Sequence, residues 1–269
     1  MTHMIYVVPS LKAKEKLQCE GKAWAESQGF TYVPRGKRTI QDLMDEYGED
    51  FLVYSSRGPQ IDRPEGSHFF SLNMAELRIQ NLRKGQRDHL LEALMGRGSS
   101  KLPITVLDCT CGFGADAAVA SFGLPAGSYV DALEVSPLLE AVTSWGFSHF
   151  VHKKDDVTAA LRRISLRRGD YRDYLLSDEG PVYDVLYFDP MFQRPVEASC
   201  QFQPVRAIME HGGLTRDLIE RAMQKARRRV VIKERDFRQL CRDFPEVTLY
   251  GGKYSRIGYA VLECDSWKK

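Results

Sequence analysis

Asp108, Gly112, Gly114 and Glu134 are residue types that a nucleoside ligand requires, and each stands at or just beyond the end of an apolar run. Leu107-Asp108-Cys109-Thr110-Cys111-Gly112-Phe113-Gly114-Ala115-Asp116 follows the apolar stretch that begins at Ile104. Two glycines at such a turn let the backbone approach a ligand with no Cβ in the way. Gly112-x-Gly114-x-x-Ala117 also fits the dinucleotide fingerprint G-x-G-x-x-A, and a lone match of that kind discriminates weakly. The acids discriminate better. Asp108, four positions before Gly112, would repel a pyrophosphate but suits the ammonium group of a methionine moiety. Glu134 closes the next apolar run, where a carboxylate can accept from both ribose hydroxyls. That feature is shared by NAD and S-adenosylmethionine (SAM) sites. In Gly169-Asp170-Tyr171, Asp170 could accept from an adenine amino group. Arg172 and Asp173 beside it make a surface ion-pair cluster the competing reading.

A second loop, Tyr187-Phe188-Asp189-Pro190-Met191-Phe192, carries different chemistry. An exocyclic amine on a nucleic-acid base is a poor nucleophile, because its lone pair is delocalised into the ring. Hydrogen bonds from that amine to the Asp189 carboxylate and the Pro190 carbonyl would draw the lone pair out of conjugation and aim it. Phe192 offers a face on which the base can stack, worth about 1–3 kcal/mol. Asp189-Pro190-Met191-Phe192 resembles the D-P-P-Y/F motif of amino-group methyltransferases. Taken alone, Asp-Pro is equally a turn starter and Phe192 a core ring. The four residues of the first loop, at successive strand ends, favour the chemical reading.

The elements that must position these loops follow from periodicity and punctuation. From residue 103 onward, strands alternate with helices, which implies a parallel sheet. Strands are expected at 104–107, 129–134, 164–167, 183–188, 229–233, 247–250 and 257–264. Helices are expected near 115–122, 137–150, 156–162, 214–226 and 237–243. The last two strands are separated only by residues 251–256 and should form an antiparallel hairpin at the sheet edge. The expected fold is therefore α/β, a Rossmann-like seven-stranded sheet of the SAM-methyltransferase type. Residues 1–56 alternate strand and helix and suggest a small N-terminal α/β domain. Residues 57–66, with Gly58, Pro59, Pro64 and Gly66, are expected to be a connecting loop, and two helices follow before residue 96. The expected division is thus 1–56, a linker with paired helices over 57–100, and a methyltransferase domain over 101–269.

Composition sets wide bounds. The chain has 269 residues, 43% hydrophobic and 28% charged, with a net charge of +2. That is an ordinary globular balance, too neutral to announce a nucleic-acid binder. Basic residues cluster at Arg162, Arg163, Arg167, Arg168 and Arg172, and again at Lys225, Arg227, Arg228 and Arg229. They suit phosphate contacts or solvated helix faces alike. Lys12, Lys14, Lys16, Arg35, Lys37 and Arg38 could present charge to RNA from the N-terminal unit. No stretch approaches the roughly 20 apolar residues that span a membrane, and no signal-peptide pattern opens the chain. A cytoplasmic protein without a membrane partner is expected. The six cysteines form no C-x-x-C pair and the histidines show no metal-ligand spacing, so no metal is expected. Lys233, ending Val230-Val231-Ile232-Lys233, either lies near a substrate entrance or finishes its strand at solvent.

The pattern Asp108-x-Thr110-x-Gly112-x-Gly114-x-Asp116, Leu133-Glu134, Asp189-Pro190-Met191-Phe192 and Val231-x-Lys233 resembles the bacterial small-subunit ribosomal RNA guanine-N2 methyltransferase J family. The resemblance runs from His68 to the C-terminus and takes in Lys253-Tyr254-Ser255-Arg256. It implies SAM contacts from Ala115-Asp116, Glu134-Val135, Asp170-Tyr171 and Asp189. It also implies an RNA partner, the small ribosomal subunit, and N2-methylguanosine in 16S rRNA as product. Ala115, Asp170-Tyr171 and Gln193-Arg194-Pro195 depart from the family's usual residues. Three alternatives stay open: an adenine-N6 enzyme on DNA or RNA, a nicotinamide- or flavin-dependent oxidoreductase, and a non-catalytic SAM- or RNA-binding module. The oligomeric state is left open.

Overall fold

The computed structural model describes residues 4–96, 102–190, 213–251 and 257–264. The expected Met191 and Phe192, and the Lys253–Arg256 turn, lie outside the described residues. Two sheets are present among them, each in its own compact unit.

The first sheet comprises β1 (Tyr6–Pro9), β2 (Thr31–Tyr32), β3 (Phe51–Ser55), β4 (Gly58–Arg63) and β5 (Gly66–Phe69), in the order β2-β1-β3-β4-β5. β1 runs parallel to β2 and β3, while β4 pairs antiparallel with β3 and β5. Its core is built on Val8, Leu43, Phe51 and Val53, all fully buried. The helix Ile40–Tyr47 is started by a reciprocal cap, in which the Thr39 hydroxyl accepts from Asp42 N–H and Asp42 accepts from Thr39 N–H.

The expected loop at 57–66 is corrected here, because it is a hairpin. Gly58, at φ +85°, turns the chain out of β3, and Pro64-Glu65 turns it between β4 and β5. Pro59 can sit within β4 because β5 pairs only from Gln60 onward, so its missing N–H breaks no bond on that side. The glycines and prolines mark the ends of short strands.

The unit that holds this sheet takes in residues 4–71 and 136–150 among those described. The helix Pro137–His149 therefore belongs to it. Phe70 meets Phe147 and Phe150 edge-on, at 5.6 and 5.5 Å between ring centroids. Gly146 makes this approach possible, since a Cβ there would stand 1.9 Å from Phe70 Cγ. Helix propensity alone favours Gly146→Ala by about 1 kcal/mol. Overlap at the root of a buried ring outweighs that gain, and a net destabilisation of about 1–3 kcal/mol is expected. Urea unfolding measures it, and a stabilised variant would show that Phe70 can move aside.

The second sheet holds β6 (Thr105–Asp108), β7 (Tyr129–Glu134), β8 (Ile164–Arg168), β9 (Val185–Phe188), β10 (Arg229–Glu234), β11 (Thr248–Gly251) and β12 (Gly258–Glu263). Their order is β11-β12-β10-β9-β6-β7-β8. β6 to β10 are parallel, and β12 runs antiparallel to both β10 and β11. All four residues of β9 are buried, as both faces of a covered parallel sheet require. The chain leaves β6 towards β7 and β8 on one side and returns through β9 and β10 on the other. β6 and β9 are therefore neighbours at the switch point, where open α/β sheets bind ligands beyond their C-terminal strand ends.

The helices Asn73–Arg83 and His89–Met95 pack in this second unit, where Leu82 and Leu91 close over Gly123 of the helix Ala115–Gly123. Several residues of the basic clusters, which suited phosphate contacts and helix faces alike, make structural bonds. Lys225 donates to the carbonyls of Tyr174 and Ser177, Arg163 to that of Ser121, and Arg228 pairs with Asp184 at 3.1 Å. In the first unit, Arg35 is buried and bonds the Arg38 carbonyl, and Arg38 pairs with Glu46. Lys12, Lys14, Lys16 and Lys37 remain exposed.

Candidate active site

β6 delivers Asp108 to the switch point with only 2% of its surface exposed. The chain then turns through Cys109–Gly114, with Gly112 at φ +55° and Gly114 at φ +74°, before the helix Ala115–Gly123 begins. Gly114 occupies the left-handed cap position, which disfavours other residues. Two strands fasten the turn: Cys109 N–H donates to the Tyr187 carbonyl and Cys111 N–H to that of Leu133, both at 2.9 Å. Glu134, 8% exposed at the end of β7, accepts from Gly112 N–H at 2.9 Å through Oε2. A Cβ at Gly112 would point into open space, its nearest neighbour being the Thr110 carbonyl at 3.9 Å.

The Asp108 carboxylate accepts from Thr110 N–H at 3.1 Å, and no other hydrogen bond among the described residues reaches it. Burial pushes its pKa well above the usual carboxylate range, and the nearby Asp116 and Asp189 charges push it further. Such a group favours a bound cation as partner.

Thr110 joins the two loops: its hydroxyl accepts from Asp189 N–H at 2.6 Å. The Asp189 side chain is held separately, since Lys233 Nζ donates to its Oδ2 at 2.7 Å. The same ammonium donates to Asp116 Oδ2, also at 2.7 Å. Tyr187 O–H adds a bond to Asp116 Oδ2 at 2.8 Å, and Arg78 pairs with its Oδ1. Arg78 in turn grips Asp88 through two bonds of 2.8 Å, while Asp88 caps the helix His89–Met95.

This ordering of charge decides which acid is labile. Burial alone would raise Asp116, but Lys233 and Arg78 outweigh it and hold the group well below the ordinary carboxylate value. Asp189 meets one cation among the described residues: burial lifts it, Lys233 opposes, Asp116 adds to the lift, and the net result is about 6. Lys233 would be lowered by burial, yet the two aspartates keep it above its ordinary value and charged.

The structure thus brings together Asp108, Thr110, Gly112, Gly114, Asp116, Glu134, Asp189 and Pro190, with Ala115 and Val135 half-buried beside them. Asp170, beyond the end of β8, caps the helix Tyr171–Leu176 by accepting from Arg172 N–H and pairs with the Arg172 guanidinium. That is the ion-pair reading of the sequence, and it reflects aspartate's preference for helix starts. Tyr171 is 7% exposed and meets Phe188 edge-on in the core. Phe192 lies outside the described residues. Lys233 does not finish its strand at solvent: its side chain is 14% exposed and bridges both aspartates. Arg78 carried no sequence signal, lying 38 residues from Asp116 in an unremarkable polar helix. A lone lysine closing an apolar strand beside Asp-Pro was the signal available for Lys233.

The strand order and the hairpin edge define the Rossmann-like methyltransferase class. A crystal structure of a SAM-dependent methyltransferase from Neisseria gonorrhoeae shares this fold, with a TM-score of 0.61 over 97% of this chain and 96% of that one at 18% identity. The family model described as "Putative SAM-dependent methyltransferase" matches residues 67–257. The chain belongs to this family and is a SAM-dependent methyltransferase. The nicotinamide and flavin alternative is thereby set aside. The uncharacterized protein YpiP of Bacillus subtilis is 29% identical over 85% of this chain and 88% of its own length. The ribosomal RNA small subunit methyltransferase J of Marinobacter nauticus is 27% identical over 71% of this chain and 66% of its own.

Proposed function

We propose that the protein methylates an exocyclic amino group of a nucleic-acid base, guanine N2 in small-subunit ribosomal RNA, at the ends of β6, β7 and β9. The observation that carries this reading is the double hold on Asp189. Its N–H is fixed by Thr110 and its Oδ2 by Lys233, and no hydrogen bond among the described residues reaches Oδ1, which with the Pro190 carbonyl would accept from the amine. Relatives named as ribosomal RNA small subunit methyltransferase J support the RNA target, and with it a cytoplasmic location. No helix among the described residues is long and apolar enough to cross a membrane.

The cradle fits SAM on two grounds. Asp108 is a buried carboxylate to which no cation among the described residues is bonded, and the open space at Gly112 is where a Cβ would intrude on a ligand. Asp108 would hold the methionine ammonium, Glu134 the ribose hydroxyls, and Gly112 and Gly114 would let the backbone lie against the cofactor. Thr110, Ala115, Asp116 and Val135 would line or support that cradle, and Asp170 and Tyr171 its adenine end. When bound, SAM supplies an electrophilic methyl group on a sulfonium. Asp189 and Pro190 accept from the amine and turn its lone pair towards that methyl. SAM would give up that methyl to the amine nitrogen and leave as S-adenosylhomocysteine, and Asp189 would take the amine proton and pass it to solvent. Phe192 is assigned the stacking face.

Glu134→Gln keeps the shape but removes one ionic acceptor, so SAM affinity should fall about tenfold, as losing one charge-assisted hydrogen bond of about 1.5 kcal/mol requires. Calorimetric titration checks this, and unchanged affinity would remove Glu134 from the ribose site. The function is tested by offering labelled SAM with small ribosomal subunits, naked rRNA, tRNA and DNA in parallel. Label in ribosomal RNA is expected. Label only in DNA or tRNA would reject the target.

A further inference from the structure

Lys233 stands among more charge than any chemistry at Asp189 alone requires. Asp189 faces it from just beyond β9, Asp116 from the helix Ala115–Gly123, Asp108 from β6 and Tyr259 from β12, while Tyr187 donates to Asp116 and the Glu234 charge acts on Asp189. Arg78, bonded to Asp88, lies behind Asp116. Both phenols are held neutral by burial first and by the neighbouring carboxylates second. With only 14% of its side chain exposed, Lys233 is the cation that touches Asp189. Its two bonds of 2.7 Å run to oxygens on different elements, so its position is set by β10 and by Asp116 together. No described hydrogen bond reaches Asp189 Oδ1.

We propose that Lys233 is a positioning residue for methyl transfer: it holds Asp189 Oδ2 so that the carboxylate stays ionised with Oδ1 directed at the acceptor amine. Arg78, acting through Asp116, keeps the lysine aligned. The inference rests on the amino-methylation reading for what Asp189 does, and on the bonds to Lys233 for how Asp189 is held. Removing the ammonium leaves Asp189 near Asp108, Asp116 and Glu234 with no cation in contact among the described residues. Its carboxyl would then take up a proton at higher pH, becoming a hydrogen-bond donor on one oxygen and a poor acceptor for an amine.

The test titrates the aspartate carboxyl carbons of the SAM-free protein by NMR, with Asp189→Asn identifying the signal. Lys233→Met is expected to raise the Asp189 midpoint by about one pH unit or more, while Lys233→Arg keeps it near the wild-type value. SAM affinity should stay within about threefold, and kcat on the RNA acceptor should fall about 100-fold with KM little changed. If Lys233→Met does not fold, Lys233→Gln, which keeps hydrogen bonds without charge, is titrated in its place. An unmoved midpoint in a folded variant overturns the proposal, because a merely structural lysine would change stability and leave Asp189 alone. A midpoint that moves, in a protein whose wild type methylates no nucleic acid, upholds the role of Lys233 and rejects only the acceptor.

Discussion

Asp189→Ala should lower kcat for methyl transfer by about 10²–10³-fold, the scale on which one preorganised polar group contributes to a transition state. SAM affinity should change far less, because Asp108 and Glu134 lie on other strands. Single-turnover kinetics with saturating SAM separate the two effects. Equal losses in binding and turnover would place Asp189 in the cofactor cradle and not opposite the amine. The pH profile adds a second constraint. The Asp189 pKa lies above the ordinary carboxylate value, at about 6, through burial and the neighbouring Asp116 charge. Its ionised form is the acceptor, so activity should be full above that pH and fall as pH drops through about 6. Asp189→Asn, having no carboxyl to titrate, should lose this acid limb along with most of the rate. An acid limb kept in the asparagine variant would belong to another group.

Asp116→Ala should cost about 3–5 kcal/mol of stability, more than any other single change at the site. The carboxylate is 8% exposed and receives Arg78, Lys233 and Tyr187 at once. Alanine would leave Lys233 and one arm of Arg78 buried without the charge that offsets their desolvation. A buried cation stripped of its partner costs far more than the intact pair contributes. Asp116→Asn should cost less, since the amide oxygen still accepts from the lysine. Because Asp116 titrates far below neutrality, the network should survive mild acid that already protonates Asp189. Urea unfolding at pH 7 gives the comparison. A cost under about 1 kcal/mol would mean that water takes over the carboxylate's bonds.

The parts of this site visible in the sequence share one property: they are short segments whose residue types have a local reason. Asp108-x-x-x-Gly112-x-Gly114 is local because the turn must pass through positive φ beside a strand-end acid. Asp189-Pro190 is local because acceptor and carbonyl are neighbours in the chain. The central strands β6, β9 and β10 were visible because they are largely buried and almost continuously apolar. The β4–β5 hairpin was hidden by its own punctuation, since glycines and prolines at strand ends look the same as those within loops. Asp170 showed both roles, and the helix it caps was missed because Tyr171–Leu176 is too short for a periodic signal. The Arg78–Asp116–Lys233–Asp189 chain was hidden for a deeper reason. Its bonded pairs are brought together from positions up to 117 residues apart, and no spacing records such a meeting.

The most direct test of the central claim, that Asp189 and Pro190 present an exocyclic base amine to SAM, identifies the modified atom. Ribosomal RNA labelled by the wild-type protein is digested to nucleosides and the methylated product is resolved by mass and retention against standards. A nucleoside methylated on its exocyclic amine, N2-methylguanosine for the proposed target, is expected, and none when Asp189→Ala is used. Label on a ribose oxygen or a ring carbon would contradict it, because neither acceptor has amine hydrogens to give to the Asp189 carboxylate and the Pro190 carbonyl.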